Sequence, residues 1–552
     1  MKEKILLFIL SFLCLFPLYV YCAGDNGKFV VNVSESGTLI DLIGVSNVEN
    51  VKELTISGNL NGTDILVMRK MTNLEILDMS ESNIVEGGVS YYESYTTSLN
   101  KIGDYFFREK TNLSTILLPK TITSIGSYTF DRCINLKSII IPNSVTSIGG
   151  HTFSGCINLK LITIPNSVNS IGYAAFSGCS GLTEVNLEDG TTTLSFEKSY
   201  FPLSPSPSTF FNCPIESLYL GRHIHPSPFK DNTTLTTLTI GNSVTTIRES
   251  AFSGCSGLIG TLTIPNSVTT IEESAFSDCS GLTSLTIPNS VTTIGESAFS
   301  GCSGLTETLT IPNSVTSIGS YAFSGCSGLK NIVLEDGTTN LAIGISFGNC
   351  PIESLYLGRN VSRSFFGFAD GTTLTTLTIG NSVTYIAESA FSFCRGLTSL
   401  TIPNSVTTIG YSAFSFCSGL TEINSQNPIP PQAQRGAFEG VDKQNCILYV
   451  PIGCTTTYWL HPVWEDFFNI KEKDFPITSI TSVNADNEID INITDEGLKI
   501  NGCNSEDNVS IYAINGQILY NNFIGNGLIT YPFKKGNVYI IQTPKKTLKI
   551  IY

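Results

Sequence analysis

Charged side chains are scarce in this chain of 552 residues, where Asp, Glu, Lys and Arg together make up 14% of the sequence. Ordinary soluble proteins carry about 25%. The balance is acidic, with a formal net charge of −15, and Ser, Thr and Asn stand where charges are missing. Proteins that bind nucleic acid need clustered basic residues to hold the phosphates. The composition therefore predicts that nucleic acid is not a partner.

Histidine is nearly absent, with four in the whole chain. His223 and His225 alternate on a possible strand and could hold a metal between them, but no third ligand is evident nearby. The H-E-x-x-H, P-loop and G-x-S-x-G motifs of metalloproteases, nucleotide-binding proteins and serine hydrolases are missing. The frequent G-C-S-G recurs in turn after turn, which an active site would not do. We therefore predict no enzyme activity, no metal and no cofactor.

Long hydrophobic runs are missing beyond the N-terminus, which predicts no transmembrane span in the mature chain. At the N-terminus, two lysines precede an apolar run from Ile5 to Val20, followed by polar sequence. This pattern predicts a secretory signal peptide over residues 1–22 and an exported protein, either at the outer cell surface or secreted. Cleavage near Cys22, lipidation of Cys22 and an uncleaved anchor are the three alternatives.

One repeated unit makes up most of the chain. It contains Phe-x-x-Cys, and successive copies such as Phe130 and Phe153 stand 23 or 24 residues apart. A short fixed period is typical of a solenoid, whose turns bury their apolar edges only against their neighbours. We predict a mainly β solenoid of about fifteen turns with a cap at each end. The predicted core residues are Phe130, Phe153, Phe176, Phe252, Phe276, Phe299, Phe323, Phe391 and Phe414, with Cys133, Cys156, Cys179, Cys255, Cys279, Cys302, Cys326, Cys394 and Cys417.

A single turn can be divided into elements. The stretch Leu282–Ile287 has the L-x-x-L-x-I spacing of a leucine-rich repeat strand. Pro288 ends the strand because proline fixes φ and removes a donor, and glycine takes the same place at Gly241 and Gly380. Phe299 is predicted to follow in a short helical turn that points its ring into the core.

The sequences LTIPNSVTTIG and SAFSGCSGL, with variants from about Ile102 to Asn445, resemble the BspA-like leucine-rich repeats of bacterial surface proteins. The resemblance implies a non-enzymatic surface protein that adheres to other macromolecules. Its implied partners are host extracellular-matrix or mucin-type proteins or glycans, or other bacterial surfaces. The alternative is a structural surface spacer or biofilm component without a specific ligand.

Sixteen cysteines in an exported chain would ordinarily indicate disulfides. Most of them occur once per turn at a position where leucine-rich repeats bury an Asn or Cys, and Asn232 stands in one such position. Stacked equivalent side chains point in parallel and fit the disulfide torsion poorly. This favours a buried ladder of reduced thiols. The pairing of Cys446, Cys454 and Cys503, outside the ladder, is open.

The chain divides by pattern into successive segments. We predict a signal peptide (1–22), an N-terminal cap with leucine-rich spacing (23–100), the solenoid (101–445), a C-terminal cap (446–470), a linker (471–482) and a β-sandwich (483–552). The sequences LEDGTT and CPIESLYLGR each occur twice, which indicates that a block of several turns is duplicated. Inserts at Ser195–Phe229 and Leu341–Phe368 are predicted to determine binding specificity. Trp459 and Trp464 are predicted to seal the end of the coil, with a short helix over Thr457–Phe468.

The final segment differs from the repeats. VSIYAINGQILY and KKGNVYIIQTPKKTLKIIY resemble the C-terminal sorting domain of type IX secretion substrates, a small Ig-like β-sandwich. The resemblance implies that the secretion machinery is a partner through residues 483–552. An ordinary accessory sandwich is the other interpretation.

A row of threonines is the candidate binding surface. Each stands at the outward position just before the isoleucine that closes a strand, so that stacking should align them on one sheet face. Threonine is also a good exposed strand former, which would explain the pattern without a ligand. The predicted row is Thr163, Thr239, Thr263, Thr286, Thr310, Thr378 and Thr401.

Overall fold

The computed structural model describes residues 25–197, 208–361 and 373–475, and seven strands between 490 and 551. It is mainly β, with about 18 turns of a β-solenoid, which confirms the predicted fold class. The chain forms two compact units, Met1–Leu329 and Lys330–Tyr552, and each is considered by itself. The predicted signal peptide lies outside the described residues. Among the described helices, none is long and apolar enough to cross a bilayer.

In the first unit, each turn contributes one strand to a first-strand row. Neighbouring strands run parallel, as in Leu161–Ile164 against Glu184–Leu187. Side chains alternate between buried and outward along each strand. The row consists of Lys28–Val33, Glu53–Leu60, Ile76–Ile84, Thr115–Leu117, Ser138–Ile140, Leu161–Ile164, Glu184–Leu187, Ser217–Leu220, Thr237–Ile240, Gly260–Thr263, Leu282–Thr286 and Leu309–Ile311.

A second, shorter strand in each turn forms a second-strand row. These strands also pair in parallel, as Thr270 opposite Thr293 and Ile271 opposite Ile294. The isoleucine faces the core and the hydroxyl residue is half-buried. The row consists of Lys101–Ile102, Ser124–Ile125, Ser147–Ile148, Ser170–Ile171, Leu194–Phe196, Ile224–His225, Thr246–Ile247, Thr270–Ile271, Thr293–Ile294 and Ser317–Ile318.

The N-terminal segment adds other elements to the same row. It has 3-10 turns at Asp25–Gly27 and Val45–Asn50, helix α1 at Leu39–Ile43, helix α2 at Gly62–Lys70 and a hairpin of Gly87–Tyr92 with Tyr95–Thr97. Helix α2 begins with a capping box, in which Asn61 accepts from the backbone of Thr63 and Asp64 accepts from the backbone of Asn61. The buried Lys110 ammonium donates to the carbonyls of Arg69 and Met71 at the end of α2. The predicted cap thus continues the parallel strand row.

The core of the first unit contains a column of phenylalanine rings. Rings of successive turns lie nearly parallel, with centroids 5.4 Å apart for Phe276 and Phe299 and 5.3 Å for Phe299 and Phe323. Phe229 continues this column between Phe210 and Phe252, although its turn lacks the cysteine. All the predicted core phenylalanines are buried. Each ring therefore depends on the rings of the turns beside it.

The cysteines lie next to this column and are also buried. Cys302 Sγ donates to the carbonyl of Phe276 one turn back at 3.1 Å, and Cys156 Sγ donates to that of Phe130 at 3.2 Å. Burial raises the pKa of Cys302 to about 12, so the thiol stays protonated and able to donate. Free buried thiols include Cys133, Cys156, Cys179, Cys255, Cys279, Cys302, Cys394, Cys417, Cys446 and Cys454. Cys503 lies outside the described residues.

Each predicted core phenylalanine lies in a turn that has a left-handed residue two positions before it. Ser297, two residues before Phe299, has φ of 52°, and Ser274 has φ of 53° before Phe276. A left-handed residue breaks the helical path, since right-handed helices need negative φ throughout. The chain reverses there so that Phe299 can enter the core.

The second unit repeats this plan. Its first-strand row is Asn331–Leu334, Ser354–Leu357, Thr376–Ile379, Ser399–Ile402, Glu422–Ser425, Ile447–Pro451 and Asn469–Lys473, and its second-strand row contains Ala342–Ile343, Tyr385–Ile386, Thr408–Ile409 and Gln432–Ala433. Phe391, Phe414 and Phe438 stack at 5.4 and 5.5 Å. Parts of both predicted inserts, residues 198–207 and 362–372, lie outside the described residues.

Only one of the two tryptophans seals the end of the coil. Trp464 is fully buried, lies 5.3 Å from Phe438 and donates to the carbonyl of Pro431 at 2.8 Å. Trp459 is 64% exposed, so the prediction for it was wrong. The helix of this cap, α3, is Thr455–Trp459, so it begins two residues before the predicted helix and ends at the third residue of the predicted range. It buries Tyr458 instead, which directs the next residue, Trp459, outward.

The C-terminal strands of the second unit are antiparallel. Asp490–Thr494, Gly497–Asn501 and Leu528–Ile529 form one sheet, and Ile518–Phe523, Asn508–Ala513, Val538–Gln542 and Thr547–Ile551 form another, in these orders. Asn508–Ala513 pairs with Ile518–Phe523. The change from parallel to antiparallel pairing accompanies the change of sequence pattern. Most of the predicted linker lies outside the described residues.

Candidate functional site

The candidate site is the line of outward residues on the first-strand row, one per turn, which we call the outward row. Thr239, Thr263 and Thr286 of the first unit are exposed, whereas Thr163 and Thr310 are half-buried. In the second unit Thr378 and Thr401 are exposed. Ser284, two residues before Thr286 on the same strand, is buried and donates to the hydroxyl of Thr261. The outward row is uncharged at these threonines, whereas other turns place Leu117, Ile140 and Val333 in it.

Strand register shows which threonines are neighbours in the first unit. Thr263 lies directly opposite Thr286. Thr163 lies opposite Asn186, which lies opposite Tyr219, which in turn lies opposite Thr239. The outward row therefore contains an amide and a phenol between two threonines.

The second unit has the same interruption. Val333 lies opposite Tyr356, and Tyr356 lies opposite Thr378. Further along, Thr401 lies opposite Asn424, which lies opposite Tyr449. The threonine pattern does not predict these tyrosines, because they stand where other turns have threonine.

Two of these tyrosines bind an aspartate of the preceding turn. Tyr219 Oη donates to Asp189 Oδ2 at 2.8 Å, and Tyr356 Oη donates to Asp336 Oδ2 at 2.8 Å. Hydrogen bonding to Asp189 raises the pKa of Tyr219. Burial, aided by the bond to Asp336, raises the pKa of Tyr356 to about 12. We call each of these a Tyr–Asp pair, one in each unit.

Gly241 and Gly380 make room for the Tyr–Asp pairs. Each of these glycines directly follows the strand next to a tyrosine strand in the first-strand row. A Cβ on Gly241 would lie 2.6 Å from Asp189 Oδ1 and 2.8 Å from Tyr219 Oη. A Cβ on Gly380 would lie 2.7 Å from Asp336 Oδ1 and 2.9 Å from the Tyr356 hydroxyl. Most turns have proline at the position of Gly241 and Gly380. The replacement of proline by glycine is therefore the feature of the sequence that marks the two Tyr–Asp pairs.

Replacing Gly241 with alanine should force the first Tyr–Asp pair apart. We expect the pKa of Tyr219 to fall toward its ordinary value of about 10, because the carboxylate would no longer hold the phenol proton. Tyrosine-labelled NMR across a pH titration, assigned with Tyr219→Phe, measures this. Pro288→Ala is the control, because Pro288 stands at the same position in a turn whose preceding neighbour has threonine in place of tyrosine. It should leave the titration of Tyr219 unchanged. An unchanged Tyr219 pKa in Gly241→Ala would contradict the prediction.

The repeated turns of this chain are similar to those of a known protein family. The family described as "BspA type Leucine rich repeat region" matches residues 100–202, 204–308, 258–365, 306–421 and 345–449, well over half of the chain. The chain belongs to the BspA-type leucine-rich repeat family. The resemblance inferred from the repeated sequence is thereby confirmed, and both Tyr–Asp pairs lie within the matched BspA-type repeats.

Several solved structures are similar to this BspA-type chain. A leucine-rich repeat protein from Bacteroides ovatus is 25% identical, with 73% of this chain and 92% of that chain covered and a TM-score of 0.43. A leucine rich cell surface protein from Faecalibacterium prausnitzii is 22% identical, covering 72% and 88%, with a TM-score of 0.21. The pneumococcal vaccine antigen PcpA is 16% identical, covering 73% and 89%, with a TM-score of 0.20. No curated protein matches.

A buried arginine joins the first Tyr–Asp turn to an earlier BspA-type turn. Arg222 is fully buried and donates to the carbonyls of Pro165, Asn166 and Val168 at 2.8, 3.0 and 2.7 Å. Burial lowers the pKa of its guanidinium to about 10. Arg359, its counterpart in the duplicated block, is also fully buried. Arg222 thus links turns that support the outward row, and neither arginine reaches solvent.

The histidine pair considered for metal binding has a different role at His223. Its Nε2 accepts from the backbone N–H groups of Thr245 and Thr246, both at 3.1 Å. Asn360 Oδ1 does the same in the second unit, accepting from Thr384 and Tyr385 at 2.9 and 3.2 Å. His223 is thus a backbone cap whose acceptor nitrogen is already used.

The stability of the first unit should depend on the protonation of His223. Burial lowers the pKa of His223 below its ordinary value of about 6.5, so the unfolded chain takes up the proton first. Stability is therefore intact above about pH 6.5 and falls as the pH drops below that value. His223→Asn should reduce this loss, because an amide oxygen accepts both bonds at any pH. Urea unfolding of both proteins at pH 7.5 and 5.5 tests it, and an equal loss in both would contradict the prediction.

A second aromatic cluster lies on the turns near the N-terminus. Tyr105 stacks on Tyr128 at 5.0 Å, and Tyr128 stacks on His151 at 4.8 Å. Tyr92 extends the stack at 4.7 Å and carries the Arg69 guanidinium 4.6 Å above its ring. The rings cover one another's faces, so this cluster mainly contributes packing.

Proposed function

We propose that this chain is an exported, non-enzymatic repeat protein of the cell surface, or a secreted one, that binds host or microbial proteins or glycans. The single observation that carries the proposal is the outward row, which presents hydroxyl, amide and phenol groups on regularly paired strands. Parallel strands fix these groups at one spacing of about 4.8 Å. A rigid line of weak hydrogen-bonding groups suits multivalent contact with an extended partner.

The lack of catalytic groupings fits a binding role. Within the described residues, no three side chains of His, Cys, Asp or Glu cluster as metal ligands would. The buried thiol of Cys302 is held protonated, and the half-buried His223 caps backbone N–H groups, so neither group is poised as a nucleophile or base. Membership of a family of surface repeat proteins favours binding over catalysis.

Export and sorting complete the proposal. The N-terminal run would direct secretion, and residues 483–552 would engage the type IX secretion machinery. The antiparallel hairpin of Asn508–Ala513 and Ile518–Phe523 supports a separate β module there. Protease shaving of intact cells, followed by mass spectrometry of the mature C-terminus, tests surface exposure and removal of residues 483–552. A full-length protein confined to the cell interior would overturn this part.

The binding role is tested by placing charge on the outward row. Thr263→Glu with Thr286→Glu should weaken binding of the full chain to matrix proteins or mucins about tenfold or more, because desolvating two unpaired carboxylates costs more than 1.4 kcal/mol. Ser280→Glu with Ser303→Glu adds the same charge at exposed loop positions of nearby turns and should leave binding unchanged. Equal binding by both variants would reject the outward row as the docking surface.

The structural-spacer alternative predicts a different result. A spacer needs only the stacked core, so the full chain would show no saturable binding to any member of a broad panel of matrix proteins, mucins and bacterial cells. Saturable binding that the Thr263→Glu, Thr286→Glu variant loses would exclude this alternative.

A further inference from the structure

We propose that each Tyr–Asp pair binds a cationic side chain, lysine or arginine, of a protein partner. The chain would then hold two equivalent recognition points, Asp189 with Tyr219 and Asp336 with Tyr356. The inference rests on the proposed function, because it identifies the partner chemistry of the same outward row.

The polar atoms of a Tyr–Asp pair act as acceptors toward a ligand. The phenol proton is already donated to the carboxylate, in the first pair from Tyr219 to Asp189 at 2.8 Å. A carboxylate accepts only, and the phenol oxygen keeps its lone pairs. Asp189 is exposed and Tyr219 is half-buried, so both can be reached from solvent. The matching ligand group is therefore a donor, and a positive charge strengthens the bond to a carboxylate.

The second unit already contains an ammonium seated on a tyrosine of the outward row. Lys473 Nζ lies 4.7 Å from the ring centroid of Tyr449. The same nitrogen donates to Asn424 Oδ1 at 2.8 Å and lies 3.7 Å from Glu422 Oε1. A cation over an aromatic ring gains about 0.5–1 kcal/mol at an exposed site. The chain's own lysine thus shows how a cation fits beside an outward-row tyrosine.

The Tyr–Asp pairs differ from the Tyr449 site in having a carboxylate bound to the tyrosine hydroxyl itself. At Tyr449 the neighbour is the neutral amide of Asn424, and a lysine of the same chain occupies the ring. At Tyr219 and Tyr356 the neighbour is a carboxylate. A basic side chain from another protein would gain both the ring and a charge-assisted hydrogen bond, in a chain of net charge −15.

The chain keeps both pairs although the turns do not need them. Other turns manage with threonine in place of the tyrosine and proline in place of Gly241 or Gly380. Proline would restrict the unfolded chain and so favour folding. The chain therefore has one binding point of the same chemistry in each unit.

The experiment uses the full mature chain and a lysine-containing hexapeptide with blocked ends. Binding is measured by calorimetry, and carbodiimide coupling joins peptide lysines to the carboxylates they touch. We expect two peptides per chain, cross-links at Asp189 and Asp336, and weaker binding at high salt. Asp189→Asn with Asp336→Asn should weaken binding about tenfold or more, since a charged hydrogen bond contributes about 1.5–3 kcal/mol.

Controls separate recognition from simple attraction to an acidic protein. Glu249→Gln with Glu388→Gln removes one exposed carboxylate from each unit at matching repeat positions and should leave the affinity within about twofold. Tyr219→Thr with Tyr356→Thr, which installs the residue of other turns, should weaken binding about two- to fivefold through loss of the ring. Circular dichroism confirms that each variant is folded.

Three outcomes would overturn the proposal. They are cross-links spread over other carboxylates, an equal effect of the Asp and the Glu variants, and binding of a neutral mucin-type oligosaccharide that the Asp variants lose while the lysine peptide does not bind. None of these depends on the Thr263→Glu, Thr286→Glu test of the outward row. The two proposals can therefore fail separately.

Discussion

Replacing Phe299 with alanine should lower the free energy of unfolding by about 3–5 kcal/mol. The ring is fully buried and stacks between Phe276 at 5.4 Å and Phe323 at 5.3 Å. Removing it leaves a cavity in the middle of the column, because the parallel strands on either side keep the neighbouring turns at their spacing. Urea denaturation followed by circular dichroism measures the loss.

The damage should be greatest near the changed turn. In a solenoid each turn contacts only its neighbours, so hydrogen exchange should rise most in the turns of Phe276, Phe299 and Phe323. Phe416→Gly is the matched control, since Phe416 is 41% exposed and stands at a left-handed position that other turns give to glycine. It should change the unfolding free energy by less than about 1 kcal/mol, because relief of backbone strain offsets the lost ring contact. A comparable loss for both variants would contradict the role of the column.

Replacing Arg222 with methionine should cost about 3 kcal/mol or more of unfolding free energy. The carbonyls of Asn166 and Val168 would lose their donor, and the carbonyl of Pro165 would keep only the Val168 N–H. Methionine fills similar space but donates no hydrogen bond, and each unsatisfied buried acceptor costs about 1–3 kcal/mol. Relief of the buried charge offsets part of this cost, since burial already lowers the pKa of Arg222 to about 10. Chemical denaturation gives the difference.

Two further variants sharpen this prediction. Arg222→Lys keeps the charge but presents a single ammonium in place of a planar fork, so it should recover only part of the loss. Arg132→Met removes an arginine whose side chain is 65% exposed and should cost less than about 0.5 kcal/mol. If Arg222→Met and Arg132→Met were equally mild, Arg222 would not be the group that holds these turns together.

Most of the fold could be predicted from the repeat period of the sequence. Because copies recur every 23 or 24 residues, residues at the same position of successive repeats lie next to each other in a parallel stack. Phe276 and Phe299 are therefore neighbours in space, and the thiols of their turns lie in equivalent places. The family resemblance follows from the same repeated sequence.

The candidate site could be read from the sequence only in part. Strand alternation predicts the threonine positions, of which five are exposed and Thr163 and Thr310 are half-buried, but their neighbours depend on turns that depart from the repeat. Tyr219 reaches an aspartate 30 residues earlier, and Lys473 reaches an asparagine 49 residues earlier. Such pairs follow from how turns of unequal length align, which a fixed period does not describe.

Local geometry decided the details at the ends of the chain. Trp464 is buried and Trp459 is exposed, although both are large apolar residues of the same cap. Helix α3 directs Tyr458 inward, and the adjacent Trp459 must then point away. The direction of a side chain depends on the backbone around it, which composition does not specify.

By itself the sequence determined that the chain is a β-solenoid of stacked, mutually dependent turns, because each short repeat can bury its apolar edge only against neighbouring repeats. The tertiary structure decided which polar groups meet on the surface of that stack. Tyr219 with Asp189, Arg222 with three carbonyls and His223 with two backbone N–H groups all join different turns. Hydrogen bonds depend on distances of a few tenths of an ångström, and only the register of one turn on the next sets those distances.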